Sequence, residues 1–335
     1  MSKKVLVTGG AGFIGSNFIH YWLKKYPEDI VVNLDKLTYA GNLDNLKDIA
    51  DSPRYEFVKG DISDPEVVGN LFRKRPDVVV HFAAETHVDR SIGNPDDFIR
   101  TDIYGTYVLL EAARNSEVGC FIQISTDEVY GSVEEGFSRE TDTLLPRNPY
   151  AASKTGAERL AYSYFATYGL PVIITRASNN FGPYQYPEKV IPLFVTNALD
   201  DIPLPLYGDG LNIRDWLFVD DHCSAIDLLI HRGDKGEVYN VGGGNLLNNR
   251  ELTGRILDYL DLPETLIRQV KDREGHDRRY ALDSSKLKAL GWTPAADFES
   301  EMKATIDWYS NNRWWWEKIK SGDFKKYYRE QYENR

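Results

Sequence analysis

Cysteine and basic residues are scarce in this chain of 335 residues. The two cysteines, Cys120 and Cys223, both lie in apolar-looking segments and have no metal-ligand spacing, so we expect buried thiols rather than a disulfide or a metal site. Lys and Arg total 40 against 51 Asp and Glu, and the formal net charge of −11 argues against DNA or RNA as a partner. A local basic pocket for a small phosphorylated ligand stays possible.

Long apolar runs are also missing. No run approaches the roughly 18 residues that a membrane span needs. The first residues, MSKKVLVTGG, enter a predicted strand at once and leave no room for a signal peptide. With 42% hydrophobic and 27% charged residues, the composition is typical of a globular protein. We therefore expect a cytoplasmic protein without a membrane partner.

Short runs rich in Val and Ile alternate with longer amphipathic stretches. The predicted strands are 3–8, 30–35, 55–61, 78–84, 120–125 and 172–178, and the predicted helices between them are 16–26, 65–75, 106–116 and 154–168. Continuously apolar strands separated by helices predict an α/β fold, a doubly wound parallel Rossmann sheet covered on both faces. Ligands of such folds bind beyond the carboxyl ends of the strands.

After residue 180 the sequence becomes rich in Pro, Gly and aromatic residues, as in long binding loops. A helix (224–231) and a strand (237–243) then return. We expect a Rossmann domain and a smaller, interleaved C-terminal substrate-binding lobe, with the following ranges: 1–180 and 216–241 for the first, 181–215 and 242–335 for the second. The aromatic tail predicts a terminal helix packed through its rings rather than a nucleic-acid surface.

A glycine-rich turn follows the first predicted strand. Gly10, Gly12 and Gly15 form G-x-G-x-x-G, and Gly9 adds an overlapping G-x-x-G-x-x-G. A helix follows, and the next strand ends in Asp35, twenty residues past Gly15. In this context glycines let the backbone approach a pyrophosphate at a helix N-terminus, and the acid accepts hydrogen bonds from ribose hydroxyls. The pattern predicts a dinucleotide site.

The same region favours NAD over NADP. Asp35 repels a 2′-phosphate, although the neighbouring Lys36 weakens this preference. Asp61 and Ala83–Ala84 follow the third and fourth strands, where adenine and ribose are expected. Each of these residues also has a simpler interpretation: Asp61 as an acid in a turn, and Ala83–Ala84 as small residues at a close packing contact. We expect Thr101 to open the next helix, where its simpler role is that of an N-cap.

Tyr150 and Lys154 are four residues apart at the beginning of a predicted helix, and one helical turn places them on the same face. A lone YxxxK is also a common exposed pair. A phenol has a pKa of about 10. A cation about 4 Å away contributes roughly 4 kcal/mol at an effective dielectric of 20, enough to lower that pKa by about three before the cost of burial. We expect Lys154, with an oxidised nicotinamide, to bring the pKa of Tyr150 close to neutral pH. The phenolate can then accept a proton from an alcohol.

Two adjacent acids end the fifth predicted strand, in the segment ISTDEVYG (124–131). Asp127 and Glu128 follow Thr126 directly. The simple interpretation is that they decorate a turn or cap a helix. The alternative is a pair that shares one proton, because each carboxylate resists ionising when the other is charged and close.

The motifs together resemble the extended short-chain dehydrogenase/reductase superfamily. Within it, nearly the whole chain is similar to the dTDP-glucose 4,6-dehydratase family. The matching segments are GGAGFIG (9–15), DKLTYAGN (35–42), HFAAETHVDRSI (81–92), STDEVYG (125–131), YAASK (150–154), NNFGPYQYPEKVIP (179–192), NIRDWLFVDDH (212–222) and GHDRRYALD (275–283).

The resemblance implies a reaction in which dTDP-glucose loses water to become dTDP-4-keto-6-deoxyglucose. Tyr150, supported by Lys154, deprotonates the C4 hydroxyl while NAD takes the C4 hydride. The ketone acidifies C5, where Glu128 is the implied base. Asp127 is the implied acid at the C6 oxygen, and Thr126 bonds to the C4 oxygen. Hydride then returns to C6.

The resemblance also implies two sets of binding residues. Those for NAD are Gly9, Gly12, Phe13, Ile14, Gly15, Asp35, Lys36, Leu37, Thr38, Asp61, Ile62, Phe82, Ala83, Ala84, Thr101, Tyr150, Lys154 and Asn180. Those for the substrate are Thr86, Thr126, Asn179, Lys189, Val190, Pro205, Leu206, Tyr207, Arg214, Asn249, His276, Arg278, Arg279 and Tyr280. We expect only one of Arg278 and Arg279 to contact phosphate, since adjacent side chains diverge in an extended segment. For Tyr207, core packing is the alternative.

Two other functions share this fold. A nucleotide-sugar C4 epimerase needs Tyr150 and Lys154 but no acid–base pair, and such enzymes carry small residues in place of Asp127 and Glu128. An NAD-sensing protein without catalysis needs none of these four side chains. The resemblance further implies a homodimer packed through helices near 102–116 and 153–168, and a product used in dTDP-rhamnose synthesis.

Overall fold

The structure is a computed structural model that describes residues 2–272, 275–295 and 297–333. In these ranges the chain forms the following strands: β1 (Lys4–Thr8), β2 (Ile30–Asp35), β3 (Tyr55–Lys59), β4 (Val78–His81), β5 (Cys120–Thr126), β6 (Val172–Ala177), β7 (Asn179–Phe181), β8 (Leu204–Tyr207), β9 (Ile213–Phe218), β10 (Val238–Val241), β11 (Leu246–Asn248) and β12 (Ile267–Val270).

The helices of the same ranges are α1 (Phe13–Lys25), α2 (Pro65–Phe72), α3 (Val88–Gly93), α4 (Asp96–Phe98), α5 (Thr106–Arg114), α6 (Pro149–Tyr168), α7 (Val190–Leu199), α8 (Val219–Arg232), α9 (Asn249–Leu260), α10 (Ser285–Ala289), α11 (Phe298–Asn311), α12 (Arg313–Ile319) and α13 (Asp323–Tyr328). Two of these helices continue as π-helices, called wide-turn segments below. They are Ile99–Gly105, between α4 and α5, and Arg329–Glu333, after α13.

The centre of the molecule is a seven-stranded parallel sheet with the order β10-β6-β5-β4-β1-β2-β3. Its strands are apolar on both faces because helices cover both. In β1, Val5 and Val7 pack into one hydrophobic core with α1 and α8, while Leu6 packs into a second core with α2 and α5. The predicted doubly wound Rossmann sheet is confirmed.

Element ends differ from the prediction where the chain turns toward the sheet's carboxyl edge. β3 ends at Lys59 and β4 at His81, each two or three residues early, because the next residues leave the ladder. The prediction that Thr101 opens a helix is wrong. The helix already begins at Asp96, after Pro95, and Thr101 lies inside its wide-turn segment.

A smaller lobe carries the mixed sheet β11-β9-β7 and the parallel pair β12-β8. Its core is aromatic. Trp315 and Trp316 on α12 are buried against Tyr309 of α11, which confirms the prediction that the tail packs through its rings.

The chain passes between the two parts more than once. α8 and β10 return to the large sheet, and Leu287 of α10 and Trp292 join its core. The exact domain boundaries stay a prediction.

Cys120 and Cys223 are both buried free thiols, as expected. Of the helices in the described ranges, none is long and apolar enough to cross a bilayer.

A pair of carboxyl groups, Glu301 on α11 and Asp221 on α8, links the two parts of the molecule. Burial raises the pKa of Glu301, on α11, to about 8, and a hydrogen bond to Asp221 of α8 and the charge of that residue add to the effect. The folded chain therefore holds a proton that the unfolded chain, with an ordinary Glu pKa, has already released between about pH 5 and pH 8. This makes folding less favourable as pH rises through that window.

We predict that Glu301→Gln removes this pH dependence, because the amide needs no proton to stay neutral. The melting temperature of the variant should rise relative to the wild type between about pH 5 and pH 8.5. Glu299→Gln, on the exposed side of the same helix, is the control and should show no such trend. Parallel curves for Glu301→Gln and the wild type would show that Glu301 is ionised in the folded protein.

Candidate active site

Two adjoining cavities open at the carboxyl ends of the large sheet's strands. The first lies over the glycine turn and the ends of β2, β4 and β5. The second continues from it toward the smaller lobe. Both are lined by the following shared residues: Thr86, Glu128, Asn179, Asn180, Gln185, Glu188 and Lys189. No cluster of three or more potential metal ligands occurs in the described part of the chain.

The glycine turn forms a cradle that larger residues would fill. Gly9 has φ +73°, and a Cβ there would lie 2.6 Å from the backbone nitrogen of Ala83. A Cβ at Gly15 would lie 2.4 Å from the carbonyl oxygen of Gly9. α1 begins at Phe13 with neither a side-chain cap nor an acidic residue in its first turn. Its amino end is therefore suited to a phosphate, which fits a dinucleotide.

Asp35 stands at the end of β2 beside this cradle. Its carboxylate accepts hydrogen bonds from the backbone N–H groups of Ala11 (2.9 Å) and Leu37 (2.8 Å). Lys36 forms an ion pair of 2.7 Å with Asp61. Because Lys36 is already paired with Asp61, the negative charge of Asp35 dominates the place where the ribose would bind. This charge favours NAD over NADP, whose 2′-phosphate it would repel.

Most of the residues predicted to bind the cofactor line the first cavity. They are Gly9, Gly12, Phe13, Ile14, Gly15, Asp35, Lys36, Thr38, Asp61, Ile62, Phe82, Ala83, Ala84, Thr101, Tyr150, Lys154 and Asn180. Leu37 is the exception. It turns away with φ +58° and contributes its backbone N–H to Asp35.

The side chains predicted to react converge where β5 meets α6. Asn148 caps α6 by accepting a hydrogen bond from the N–H of Ala151 (2.8 Å), and Pro149 occupies the first position. This start places Tyr150 and Lys154 in the first turns, both lining the first cavity. The hydroxyl of Thr126, the last residue of β5, is hydrogen-bonded to the phenol of Tyr150.

Asp127 and Glu128 form a short turn directly after β5. The hydroxyl of Thr126 accepts from the N–H of Glu128 (3.3 Å) and donates to Oδ1 of Asp127 (3.2 Å). The side-chain amide of Asn148 donates to Oε2 of Glu128 at 3.2 Å. One asparagine thus fixes both the start of α6 and the orientation of an acid. Its signal in the sequence was the Asn-Pro pair before a helix.

The two acids have unequal surroundings. Burial, followed by the charge of Glu128, raises the pKa of Asp127 well above its usual range, and the cation of Arg214 only partly offsets this. Oδ2 of Asp127 is buried without a hydrogen-bond partner in the described part of the chain. Asp127 is therefore the member of the pair whose surroundings favour its protonated form.

The protein's own groups do not lower the pKa of Tyr150, and the lowering expected with an oxidised nicotinamide stays a prediction. Burial, followed by the charges of Glu128 and Asp102, raises this pKa well above its usual range. Lys154 is itself buried, which lowers its pKa, while Asp102 and Glu158 oppose that change. The expectation from the spacing of Tyr150 and Lys154 set the cost of burial aside and took no account of the nearby carboxylates.

Asp102 was not predicted, because a single acid inside a helix carries no spacing signal. It is buried, and its pKa is raised by burial to about 6. Its carboxylate accepts hydrogen bonds from the hydroxyl of Ser153 (2.6 Å) and the N–H of Glu85 (2.9 Å). It therefore ties α6, beside Lys154, to the loop that follows β4.

Most residues predicted to bind the substrate line the second cavity. They are Thr86, Asn179, Lys189, Val190, Pro205, Leu206, Tyr207, Arg214, Asn249 and His276, while Thr126 lines the first. The structure places Arg278, Arg279 and Tyr280 outside both.

The reasons for these three exceptions are local. Arg278 is paired with Asp209 at 2.8 Å on the surface. Arg279 donates to the carbonyl oxygens of Val133 and Gly136. Tyr280 is buried 4.4 Å behind the guanidinium of Arg214, so it supports that residue rather than the cavity wall.

Several cavity residues escaped the sequence analysis. Glu188 is buried between the two cavities, where it accepts a hydrogen bond from Tyr39 (2.9 Å) and contacts Arg90 (3.5 Å). Tyr39 and Glu188 lie in segments quoted for the family resemblance, but nothing in their spacing distinguishes them. Others are Gln185, Tyr186, His222, His87, Asp89 and Tyr332.

A dinucleotide cradle beside a tyrosine and a lysine in the first turns of one helix defines an extended short-chain dehydrogenase/reductase. The family model for GDP-mannose 4,6 dehydratase matches residues 6–305. The dTDP-glucose 4,6-dehydratase of Streptomyces antibioticus is 53% identical over 322 residues, which cover 94% of this chain and 95% of the relative.

Solved structures agree with these sequence matches. The dTDP-glucose 4,6-dehydratase DesIV of Streptomyces venezuelae, solved with NAD bound, is 50% identical with a TM-score of 0.92, covering 94% of this chain and 99% of its own. A UDP-glucose 4-epimerase of Thermotoga maritima is 30% identical with a TM-score of 0.87, over 92% and 99% of the two chains. The chain belongs to the dTDP-glucose 4,6-dehydratase family.

Proposed function

We propose that this protein converts dTDP-glucose into dTDP-4-keto-6-deoxyglucose and water, as an NAD-dependent hydro-lyase. The observation that carries the proposal is the unequal pair of acids, a buried, proton-holding Asp127 next to Glu128, at the cavity wall that also holds Tyr150. Elimination of water needs one acid and one base beyond the tyrosine, and this pair supplies both.

The first role belongs to Tyr150, which takes the proton of the C4 hydroxyl. When bound, NAD accepts the hydride from C4, returns it to C6 and brings the positive charge of its oxidised ring. That charge is what Tyr150 requires, because burial and the nearby carboxylates raise its pKa. Lys154 adds a buried cation, and the hydroxyl of Thr126 hydrogen-bonds to the phenol.

Glu128 and Asp127 carry the elimination. The C4 ketone makes the C5 hydrogen acidic, and Glu128, oriented by Asn148, removes it as a proton and gives a proton back to C5 when hydride is added at C6. Asp127 gives its proton to the C6 oxygen, which leaves as water. The raised pKa of Asp127 keeps this proton in place until the leaving group takes it, which leaves the role of base to Glu128.

The second cavity holds the rest of the substrate. Arg214 lines it and is fixed by hydrogen bonds to the carbonyl oxygens of Ile213 (2.8 Å) and Asp277 (3.0 Å), so its guanidinium is oriented for a diphosphate. Lys189 adds a second cation between the two cavities. We assign the diphosphate to this cationic part and the glucose to the side near Glu128.

Mass spectrometry of dTDP-glucose incubated with the protein, without added reductant, tests the function. The proposal expects a product lighter by one water with no net consumption of NAD. A product of unchanged mass would identify an epimerase, which the similar fold of UDP-glucose 4-epimerases permits. An unreacted substrate that still binds would leave an NAD-sensing protein.

The chain is further proposed to act as a homodimer. Large apolar side chains are exposed on the segments predicted to pair. They are Ile99, Tyr104 and Tyr107 on the helix that ends in α5, and Tyr162 and Tyr168 on α6. Exposed apolar side chains that lie next to one another are found at protein interfaces more often than on surfaces that stay in contact with water.

Light scattering should therefore give about twice the chain mass of 38.3 kDa. Tyr107→Glu places a charge in the centre of the proposed interface and is expected to give monomers at micromolar concentration. Trp314→Glu, which changes an equally exposed ring on α12, is the control and should stay dimeric. A wild-type monomer would rule out the dimer.

A cytoplasmic location and a place in dTDP-rhamnose synthesis complete the proposal. Two free thiols fit a reducing compartment. The place in dTDP-rhamnose synthesis rests on the family resemblance and on the 4-keto-6-deoxy sugar proposed as the product. Fractionation of cells with an antibody to the chain tests the location.

A further inference from the structure

The C-terminal segment folds back over the second cavity. It comprises α13 and the wide-turn segment Arg329–Glu333. Phe324 and Tyr332 are buried in the aromatic core of the smaller lobe. Tyr332 also lines the second cavity, although it lies more than 100 residues from the other residues of that wall except Asn249 and His276.

Three contacts hold Tyr332 against Tyr207, at the end of β8. The rings lie 5.8 Å apart, and their hydroxyls are hydrogen-bonded. The neighbouring Gln331 donates from its side-chain amide to the Tyr207 hydroxyl at 2.6 Å. The opposite edge of Tyr207 meets the ring of His276 at 6.2 Å. The cavity therefore has an aromatic wall built from three distant parts of the chain.

The same segment also fixes the loop between the two cavities. The hydroxyl of Tyr327 lies 3.2 Å from Nε2 of His87. The guanidinium of Arg90 is held between two rings, 4.7 Å from Tyr327 and 3.9 Å from Tyr39, which lines the first cavity. One face of the C-terminal segment is thus packed against the site, while Lys325, Lys326, Arg329 and Glu330 are exposed.

The position of the aromatic wall shows which part of the substrate it meets. Residues shared by both cavities, among them Glu128 and Asn179, mark the end where the sugar reacts. Tyr207 and Tyr332 line only the second cavity, beyond that junction. With the sugar near Glu128 and the diphosphate at Arg214, the part left for the aromatic end is the nucleoside.

We propose that Tyr332 is a further substrate-binding residue, whose ring forms part of the wall against the nucleoside, and that Gln331 positions it together with Tyr207. This inference rests on the proposed function. It makes the last residues of the chain a determinant of nucleotide affinity, with no part in the chemistry at C4, C5 and C6.

Calorimetric titration of the NAD-loaded protein with dTDP, which lacks the sugar, tests the inference. Tyr332→Ala removes the ring, and loss of one aromatic contact to a base weakens binding by about 10-fold or more. Tyr332→Phe keeps the ring and should bind within about threefold of the wild type. The KM for dTDP-glucose should follow the affinity for dTDP, while kcat stays within about twofold.

Two further variants keep the result decisive. Tyr332→Leu retains apolar volume in the lobe core, so it separates loss of the aromatic wall from loss of packing if Tyr332→Ala melts early. Tyr259→Ala, an exposed tyrosine of α9, is the control and should leave dTDP binding unchanged. Wild-type affinity in both Tyr332→Ala and Tyr332→Leu would overturn the inference. Absence of dTDP binding or turnover in the wild type would instead overturn the proposed function.

Discussion

Replacing Glu128 with glutamine is expected to stop exchange of the C5 hydrogen with solvent and to lower kcat by about 10²- to 10⁴-fold. The amide keeps the shape of the side chain and can still meet Asn148, but it cannot accept a proton. Oxidation at C4 by Tyr150 should persist, because that step does not use Glu128. Incubation in deuterated water, followed by mass spectrometry of recovered dTDP-sugar, measures the exchange.

The control for this variant is Glu135→Gln, an exposed acid in the loop that follows the catalytic turn. It should exchange and turn over like the wild type. If Glu128→Gln exchanged the C5 hydrogen at the wild-type rate, another group would be the base, and the division of roles within the acid pair would be wrong.

Tyr150→Phe is expected to abolish every step, because no later step is possible before C4 is oxidised. The variant loses only the hydroxyl that takes the C4 proton and meets Thr126. We expect kcat to fall by about 10²- to 10⁴-fold, together with loss of C5 exchange. This second effect distinguishes a missing first step from a missing elimination step, and dTDP binding should remain within about threefold of the wild type.

Tyr259→Phe, which changes an exposed tyrosine of α9 outside both cavities, is the matched control and should keep full activity. Undiminished C5 exchange in Tyr150→Phe would mean that another group oxidises C4 or that the C5 hydrogen is removed without prior oxidation. Either result would contradict the role assigned to Tyr150.

The sheet was predictable because its signals are local. Val5, Leu6 and Val7 belong to one continuous apolar run, and such runs read as strands covered on both faces. The glycine turn and the pair of Tyr150 with Lys154 are likewise set by spacing along the chain. The parts that sequence reasoning missed are those where contact partners are far apart along the chain.

Asp102, Glu188 and Tyr332 illustrate this limit. Asp102 meets Ser153, Glu188 meets Tyr39, and Tyr332 meets Tyr207, in every case across more than 50 residues of chain. Burial is also invisible to spacing, and it raises the pKa of Tyr150, which opposes the lowering expected from Lys154 and the cofactor.

Phe181 and the aromatic lobe show the same limit in a different form. Their hydrophobic character was evident in the sequence, but the choice of neighbours was not. Phe181 on β7 packs against Trp216 and Phe218 of β9 and against Phe298 of α11. No spacing along the chain indicates that these three elements meet.

The segment ISTDEVYG distinguishes a dehydratase from an epimerase, since both share the sheet, the cofactor cradle and the tyrosine. The strand places these acids at the cavity wall, and burial raises the pKa of one of them, Asp127. The central claim is therefore that hydride leaves C4 and returns to a different carbon, C6, of the same molecule.

Reaction of dTDP-glucose that carries deuterium at C4 tests this claim most directly. The account predicts that NMR and mass spectrometry will find the label in the methyl group at C6 of a product lighter by one water. Deuterium that returns to C4, or that is lost to solvent or to free cofactor, would contradict it.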